Sequence, residues 1–258
     1  MSNPSYSLWE TPLELVGLDP DKVHVWRASL DVAPERIQSL SRTLSADERE
    51  RAERFHFLRD RNRFVAGRGL LRILLGRYLE MAPDQLRFGY NSHGKPFLAN
   101  EDTFVRFNLS HSGALALYAV TCGREIGIDV EYVSEDVDIA GLGARFFSTS
   151  EVAALNSLPA DQKQRAFFAC WTRKEAYIKA RGEGLSVALD GFSVSLSPHE
   201  PVALLEVQDN PEESSRWALI ELDPGPRYAG ALAVEGHDWR LKCWESTGNI
   251  QDLATAHT

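Results

Sequence analysis

Hydrophobic residues recur along the chain with two different periods. In Val23–Leu30 and Ile126–Tyr132 they return at about every second position, as expected for a strand with one buried face. In Arg61–Leu79 and Asp161–Ala180 they return at about every third or fourth position, which is the period of an amphipathic helix. Gly182 follows the second of these segments and predicts its end.

Two capping boxes, each a serine followed three residues later by a glutamate, predict further helix starts. Ser45 opens a helix to about His56, and Ser148 opens one to about Ser157. The other segments with strand patterns are Leu86–Tyr90, Pro96–Leu98, Phe104–Asn108, Ala114–Thr121, Phe192–Leu196, Val202–Val207, Trp217–Leu222, Tyr228–Val234 and Trp239–Trp244. Leu109–Gly113 is predicted to be a polar loop between two of them.

This order of elements predicts an α+β fold with two similar halves. Each half would contain a strand, then helices, then a group of antiparallel strands. We place the N-terminal half at residues 1–123, the C-terminal half at 124–245 and a polar tail at 246–258. The two halves share too little sequence identity to be recognised as a repeat, so the division depends on the element order alone.

Composition narrows the class of protein. The chain has 258 residues, is 43% hydrophobic and 25% charged, and carries a formal charge of −9. This is globular composition, and the acidic balance argues against a nucleic-acid-binding domain. The three cysteines form no CxxC pair, which argues against a zinc site. Because there is neither a signal-like start nor a long apolar run, we expect a cytoplasmic protein that does not bind membranes.

Two carboxylates lie on one face of the strand Ile126–Tyr132. Asp129 and Glu131 are separated by one residue, so their side chains point the same way, about 7 Å apart. At an effective dielectric constant near 20, their repulsion costs about 2 kcal/mol. A hard cation such as magnesium would neutralise a buried pair, whereas a solvated strand face would need no partner.

The helix Asp161–Ala180 carries a second set of candidate residues. Glu175 and Lys179 lie four residues apart, which suits either an ordinary helix salt bridge or a phosphate site. Lys174 falls in the apolar stripe of the helix, where an amine needs a partner or a ligand.

Basic and polar residues elsewhere are weaker candidates. His111, in the predicted loop, could donate to a phosphate or only satisfy loop carbonyls. Arginines that could bind phosphate, or could simply be solvated, occur at positions 51, 54, 59, 61, 63, 68, 72 and 77. Lys95 follows a turn glycine and could be a solvated hairpin residue.

Taken together, these motifs resemble a known family. In chain order they are Arg54-Phe55, Arg63 with Gly67, Gly94-Lys95-Pro96, Asn108-Leu-Ser-His-Ser112, Gly127-Ile-Asp-Val-Glu131, Phe146-Phe147-Ser148 and Trp171-Thr-Arg-Lys-Glu-Ala-Tyr-Ile-Lys179. From about Glu48 to Leu185, the chain resembles the large, Sfp-like class of 4′-phosphopantetheinyl transferases. The last motif and Gly-Ile-Asp-Val-Glu are the most specific.

The resemblance implies an enzyme that transfers the phosphopantetheine arm of coenzyme A to a serine of an apo acyl or peptidyl carrier protein. Adenosine 3′,5′-bisphosphate would be released, and the two halves would be related by a pseudo-twofold axis with the active site in the cleft between them. Asp129, Glu131 and Glu175 would hold magnesium. Lys179 would contact phosphate, and Lys174 nearby would contact the pyrophosphate of the coenzyme as well. Glu175 or Glu131 would take the serine proton, and we favour Glu175.

The resemblance also implies a nucleotide pocket for coenzyme A. Its residues would be Ser110, His111, Arg51, Arg63 and Lys95. Glu48 departs from the family pattern, since relatives often have lysine there. Carrier proteins are usually acidic, as is this chain. We therefore expect docking through apolar residues near Phe146–Phe168 and a local arginine patch.

Two alternatives use the same residues. One is another magnesium-dependent enzyme of phosphate esters or pyrophosphates, and the other is a catalytically silent module that binds carrier proteins. The presence of all the acids and of Lys179 favours an enzyme. One chain is enough to form a cleft between two halves, so we expect a monomer.

Overall fold

Groups of helices and groups of strands follow one another in the computed structural model, which describes residues 9–11, 17–100, 103–197, 200–208 and 210–246. The strands are β1 Lys22–Ser29, β2 Phe88–Tyr90, β3 Pro96–Leu98, β4 Val105–Ser112, β5 Leu115–Cys122, β6 Ile126–Tyr132, β7 Phe192–Val194, β8 Leu204–Val207, β9 Trp217–Leu222, β10 Tyr228–Glu235 and β11 Arg240–Glu245. The helices are α1 Pro34–Ser41, α2 Ala46–Glu53, α3 Leu58–Tyr78, α4 Ile139–Phe146, α5 Thr149–Ser157, α6 Ala160–Arg181 and α7 Glu213–Arg216.

The first sheet contains four strands in the order β11-β1-β5-β4. Its strands pair in antiparallel fashion, except that β11 runs parallel to β1. Helix α3 covers one face, where Leu71 and Leu75 are buried with Trp26 of β1. The hydroxyl of Tyr118 on β5 donates to the Gly67 carbonyl of α3 over 3.0 Å, which fixes the helix to the sheet.

The second sheet is antiparallel, in the order β6-β10-β9, and is covered by helix α6. Helix and strand approach closely at Gly127, where a Cβ atom would lie 2.1 Å from the Ala176 carbonyl oxygen. Only glycine can occupy this position without separating β6 from α6. The close contact determines how near the side chains of β6 lie to those of α6.

The two sheets meet through a shared apolar layer. Strand residues alternate between faces, so Val23 and Val25 of β1 pack with Ile128 and Val130 of β6, on the side away from the helices. At the sheet edges, the Asn108 side-chain oxygen on β4 accepts from the Ile128 backbone N–H over 2.9 Å. This hydrogen bond brings β4 and β6 side by side.

The predicted mixture of helices and strands is confirmed. The predicted loop at Leu109–Gly113 is wrong, because β4 continues to Ser112 and pairs in register with β5. The sequence pattern did not predict helices α1, α4 and α7. Beyond Ser246, the predicted tail lies outside the described residues. No helix among those residues is long and apolar enough to cross a membrane.

Three aromatic residues of the segment that was expected to dock a partner belong to the second core. Phe147, Phe167 and Phe168 expose 5% or less of their surface. Phe147 stacks on Phe167 with ring centroids 5.1 Å apart. These three side chains cannot contact another protein without unfolding, whereas Phe146 is only half-buried. Docking through apolar residues near Phe146–Phe168 therefore stays a prediction, with Phe147, Phe167 and Phe168 removed from it.

Candidate active site

A polar cleft of about 370 Å³ opens where β4, β6 and α6 converge. Its lining residues are Leu109, Ser110, His111, Asp129, Glu131, Trp171, Glu175 and Lys179. Strand β6 contributes two acids on one face, as their spacing predicts, and α6 contributes residues separated by one helical turn. The fold therefore brings together most of the residues that the sequence motifs identified.

Asp129 is the centre of the cleft and is almost completely buried, with 2% of its surface exposed. Its Oδ1 atom accepts from Lys179 Nζ over 2.5 Å and from Ser110 Oγ over 2.8 Å. Lys179 Nζ also donates to Ser110 Oγ over 3.0 Å. The second carboxylate oxygen, Oδ2, is buried without a hydrogen-bond partner, although buried polar atoms are nearly always paired.

Two glutamates flank Asp129 and differ in their partners. Burial, followed by the negative charge of Asp129, raises the pKa of Glu131, while a 2.9 Å hydrogen bond from Ser112 Oγ opposes the shift. Burial also raises the pKa of Glu175, again assisted by Asp129 and opposed by Lys179. Among the described residues, no side chain donates a hydrogen bond to Glu175. Its carboxylate is therefore free to accept one.

His111 stands at the exposed rim of the cleft. Partial desolvation and the positive charge of Lys179 lower the pKa of its imidazole. The ring is therefore neutral near pH 7, with one nitrogen available as a donor and the other as an acceptor.

The cleft offers the oxygen ligands that a hard cation requires. Asp129, Glu131 and Glu175 all line it, and the unpartnered Oδ2 of Asp129 is a free donor atom. Carboxylates of this kind suit magnesium. As the side chains lie, no three acidic, histidine or cysteine residues in the described part of the chain form a metal site. The oxygen atoms of these three carboxylates nevertheless fit magnesium in their chemistry. In the structure, the Lys179 amine pairs with Asp129 and neutralises its charge.

Lys174 is not part of the cleft, so its predicted contact with phosphate is wrong. Its side chain is fully buried, and Nζ donates to both Glu151 oxygens over 2.7 and 2.6 Å and to the Phe192 carbonyl over 2.6 Å. All three amine hydrogens therefore have acceptors. The partner is the glutamate of the second capping box, which also accepts from the Ser148 backbone N–H.

The other predicted basic residues lie outside the lining of the cleft. Arg51 is exposed on α2, and its guanidinium lies 5.3 Å from the centre of the Phe64 ring. Arg63 forms a double hydrogen bond with Asp31. Lys95 donates to Glu125 and to the Ala180 carbonyl, beside a second cavity of about 380 Å³. Their roles in a nucleotide pocket stay predictions.

Glu48, in the first turn of α2, has a structural role. It is buried and accepts from Arg68 Nε and Arg72 Nε, each over 2.6 Å, while Oε2 also accepts from the Ser45 backbone N–H. Two arginines of the basic segment are thus paired internally with one carboxylate. The departure from the family pattern at Glu48 is explained by an ion cluster that attaches α2 to α3.

Sequence reasoning missed Ser112 and Trp171 as members of the site. Ser112 Oγ donates to Glu131 and accepts from the Tyr132 backbone N–H, so it positions the end of β6. Trp171 forms an apolar wall of the cleft. Both residues could have been found from their spacing to a residue that was already identified. On the strand, Ser112 lies two positions after Ser110. On the helix, Trp171 lies four positions before Glu175.

Comparison with known proteins identifies the family of the chain. Residues 125–233 match a family model described as the 4′-phosphopantetheinyl transferase superfamily, and residues 26–123 match one described as 4′-phosphopantetheinyl transferase, N-terminal. The chain is 45% identical to 4′-phosphopantetheinyl transferase HetI of Nostoc sp., over 87% of this chain and 92% of the relative. It is 32% identical to 4′-phosphopantetheinyl transferase Sfp of Bacillus subtilis, over 77% and 85% respectively. The chain therefore belongs to the 4′-phosphopantetheinyl transferase family of enzymes.

Proposed function

We propose that the protein transfers the 4′-phosphopantetheine arm of coenzyme A to a serine of an apo acyl or peptidyl carrier protein. The reaction would depend on magnesium and release adenosine 3′,5′-bisphosphate. The observation that carries the proposal is the convergence of Asp129, Glu131, Glu175 and Lys179 on one cleft, with Ser110 and His111 at its edge. Three acids and an amine in one place suit a pyrophosphate with its cation better than a salt-bridged helix surface.

Magnesium bound by Asp129, Glu131 and Glu175 would neutralise the pyrophosphate oxygens, as in other phosphoryl transfers. Lys179 is already held in the cleft by Asp129 and Ser110, so its ammonium needs little reorganisation to face a phosphate oxygen. Ser110 and His111 would contact the 3′-phosphate or the groups beside it.

The chemical step requires a base for the carrier serine. The serine oxygen forms a bond to the β-phosphorus of coenzyme A, and the bond from that phosphorus to the bridging oxygen breaks. The electron pair leaves with adenosine 3′,5′-bisphosphate, and the serine proton passes to the base. We assign this role to Glu175, because its pKa is raised and it accepts no hydrogen bond from the described residues.

We further propose that the halves 1–123 and 124–245 are related by a pseudo-twofold axis, with the site between them. The supporting features are a sheet with a long helix in each half, α3 and α6, and a cleft lined from β4 and β6. One strand departs from this division, since β11 pairs with β1 in the first sheet. A single chain supplies every residue of the cleft, which supports a functional monomer.

The test is incubation of the protein with coenzyme A, magnesium and apo carrier proteins of the acyl and peptidyl classes, followed by intact-mass spectrometry. We expect a mass gain of one phosphopantetheine arm on at least one carrier, and loss of that gain when magnesium is chelated. Cleavage of coenzyme A with no carrier modified would indicate a hydrolase. Binding of carrier without either product would indicate a silent module.

A further inference from the structure

Large apolar side chains are exposed next to the first residue of α3. Phe57 and Leu58 expose 63% and 69% of their surfaces, and Phe55 exposes 38%. Phe55 is held in place by Phe64, with ring centroids 5.3 Å apart. Exposed apolar residues grouped in this way commonly mark a protein contact. We refer to these three side chains, with Arg54, Arg59 and Arg61 among them, as the Phe57 patch.

The charge around the Phe57 patch is opposite to that of the whole chain. Residues 51–63 contain five arginines and two acidic residues, a formal charge of +3, whereas the chain carries −9. Two of these arginines are already paired, Arg59 with Asp60 and Arg63 with Asp31. In the part of the chain that the structure describes, no acidic side chain pairs with Arg54 or Arg61. These two guanidinium groups are free to meet carboxylates of a partner.

The Phe57 patch borders a shallow groove of about 470 Å³, which is lined by Leu30, Asp31, Val32, Leu58, Arg59 and Asn62. Hydrogen bonds link Leu30, which lines the groove, to the candidate active site. The Leu30 backbone N–H donates to the Ala114 carbonyl over 2.7 Å, and Ala114 follows Ser112 by two residues. Ser112 in turn contacts Glu131 in the cleft. The turn between β4 and β5 therefore connects the groove, through Leu30, to the cleft, through Glu131.

We propose that the Phe57 patch and the adjoining groove form the docking surface for the carrier protein. The occupant would be an acidic carrier domain that presents an apolar side chain among carboxylates, next to the loop that holds its serine. The apolar side chain would pack against Phe57 and Leu58, and the carboxylates would pair with Arg54 and Arg61. The inference rests on the proposed transfer to a carrier protein.

Charge complementarity selects this occupant. An acidic partner is repelled by the chain as a whole, so it can approach closely only where the local field is positive. In the second half, Phe147, Phe167 and Phe168 are buried and Phe146 is half-buried, whereas Phe57 exposes 63% of its surface. The groove is linked to Glu131 through Ala114 and Ser112, so the serine loop of a docked carrier would enter the cleft from the side of Glu131.

Two double variants separate the apolar contribution from the charged one: Phe57→Ser with Leu58→Ser, and Arg54→Glu with Arg61→Glu. All four positions are exposed and outside the cleft, so the fold and the KM for coenzyme A should be unchanged. We expect the KM for the carrier to rise roughly tenfold in each double variant, with kcat changed by less than about twofold. Matched controls are Phe104→Ser, also an exposed phenylalanine, and Arg87→Glu, also an exposed arginine.

Two further measurements test the charged contribution. Raising the ionic strength should increase the KM for the carrier in the wild-type protein and have less effect in the Arg54→Glu, Arg61→Glu variant. A carrier in which acidic residues near the serine are reversed to lysine should be modified better by that variant than by the wild type.

Unchanged KM values for the carrier in both double variants would overturn the docking proposal while leaving the transfer reaction intact. An equal rise in the two control variants would overturn it as well. Failure of the wild-type protein to modify any carrier would instead refute the proposed function, and the docking proposal with it.

Discussion

Two lysines of α6 show how position alone decides the role of a residue. Lys174 and Lys179 are five residues apart on the same helix. Lys174 faces the second core and is saturated by Glu151 and the Phe192 carbonyl, while Lys179 faces the cleft and is 29% exposed in its side chain. The apolar stripe of the helix correctly indicated that Lys174 is buried. It could not indicate whether a protein carboxylate or a ligand neutralises the charge.

Replacing Lys174 by methionine should therefore destabilise the fold. The substitution leaves the buried Glu151 without its counter-charge, and breaking a buried ion pair costs about 3–5 kcal/mol. Urea unfolding would measure the loss, and Lys163→Met on the same helix is the matched control, with a change of no more than about 0.5 kcal/mol. The double variant Lys174→Met, Glu151→Gln should recover part of the loss. If Lys174→Met keeps full stability but loses transfer, the structural role of Lys174 is wrong.

The raised pKa of Glu175 predicts the acid side of the pH profile. A base must be ionised to accept a proton, so kcat/KM should fall as the pH falls through the pKa of Glu175. Burial, followed by the charge of Asp129, raises that pKa in the protein without magnesium. With magnesium limiting, the fall in kcat/KM should therefore occur above the ordinary value for glutamate, 4.5. Glu175→Gln should abolish transfer, and Glu212→Gln on the surface should leave the profile unchanged. An acid limb at or below the ordinary value would contradict the assignment of Glu175 as the base.

At the scale of elements, the contact between β6 and α6 builds the site. Gly127→Ala would place a methyl group 2.1 Å from the Ala176 carbonyl oxygen and 2.3 Å from the Ala180 nitrogen. Backbone atoms cannot give way as a flexible side chain can, so strand and helix must separate. We expect a loss of roughly 1–3 kcal/mol or more in unfolding free energy. Transfer should fall too, because Asp129 moves away from Lys179.

Gly143→Ala is the control for this substitution. Position 143 is also buried, but the added methyl group would meet only Leu155 and Phe147 at ordinary contact distances of 3.6 and 3.7 Å. Alanine favours a helix more than glycine, so α4 should be as stable or more stable. Calorimetry and the transfer assay would test both variants, and equal behaviour would show that the Gly127 approach is not what holds the site together.

The sequence predicted elements with one buried face better than it predicted their connections. Strand β6 has the predicted bounds, and helix α6 differs by one residue at each end, because a regular period marks a single buried face. The prediction of a loop at Leu109–Gly113 was wrong, because successive polar residues are typical of loops. In the structure, two of these side chains form hydrogen bonds from β4 to β6. Ser110 donates to Asp129, and Ser112 donates to Glu131. Local patterns do not reveal contacts between strands distant in sequence.

On the scale of the whole molecule, the cleft lies at the edge where the two sheets meet. The Asn108–Ile128 hydrogen bond joins β4 to β6, and the side chains that line the cleft come from both sheets and from α6. The chain order alone would assign β11 to the second sheet, yet it extends the first by pairing with β1. Segments remote in sequence thus support both sides of the site.

Because the proposed ligands contact groups from both sheets, they should bind only the folded protein and stabilise it as a unit. At a free ligand concentration of 100 times Kd, the gain is about 2.7 kcal/mol, which for a chain of this size corresponds to a rise in Tm of roughly 5–10 °C. We expect the full rise with coenzyme A and magnesium together, and a smaller one after chelation, because Asp129, Glu131 and Glu175 then repel the pyrophosphate. Asp129→Asn should lose the magnesium-dependent part relative to its own unliganded Tm, and the exposed Asp136→Asn should retain it. Equal rises with and without magnesium would show that the acids of the cleft do not hold the cation, even if transfer to a carrier is observed.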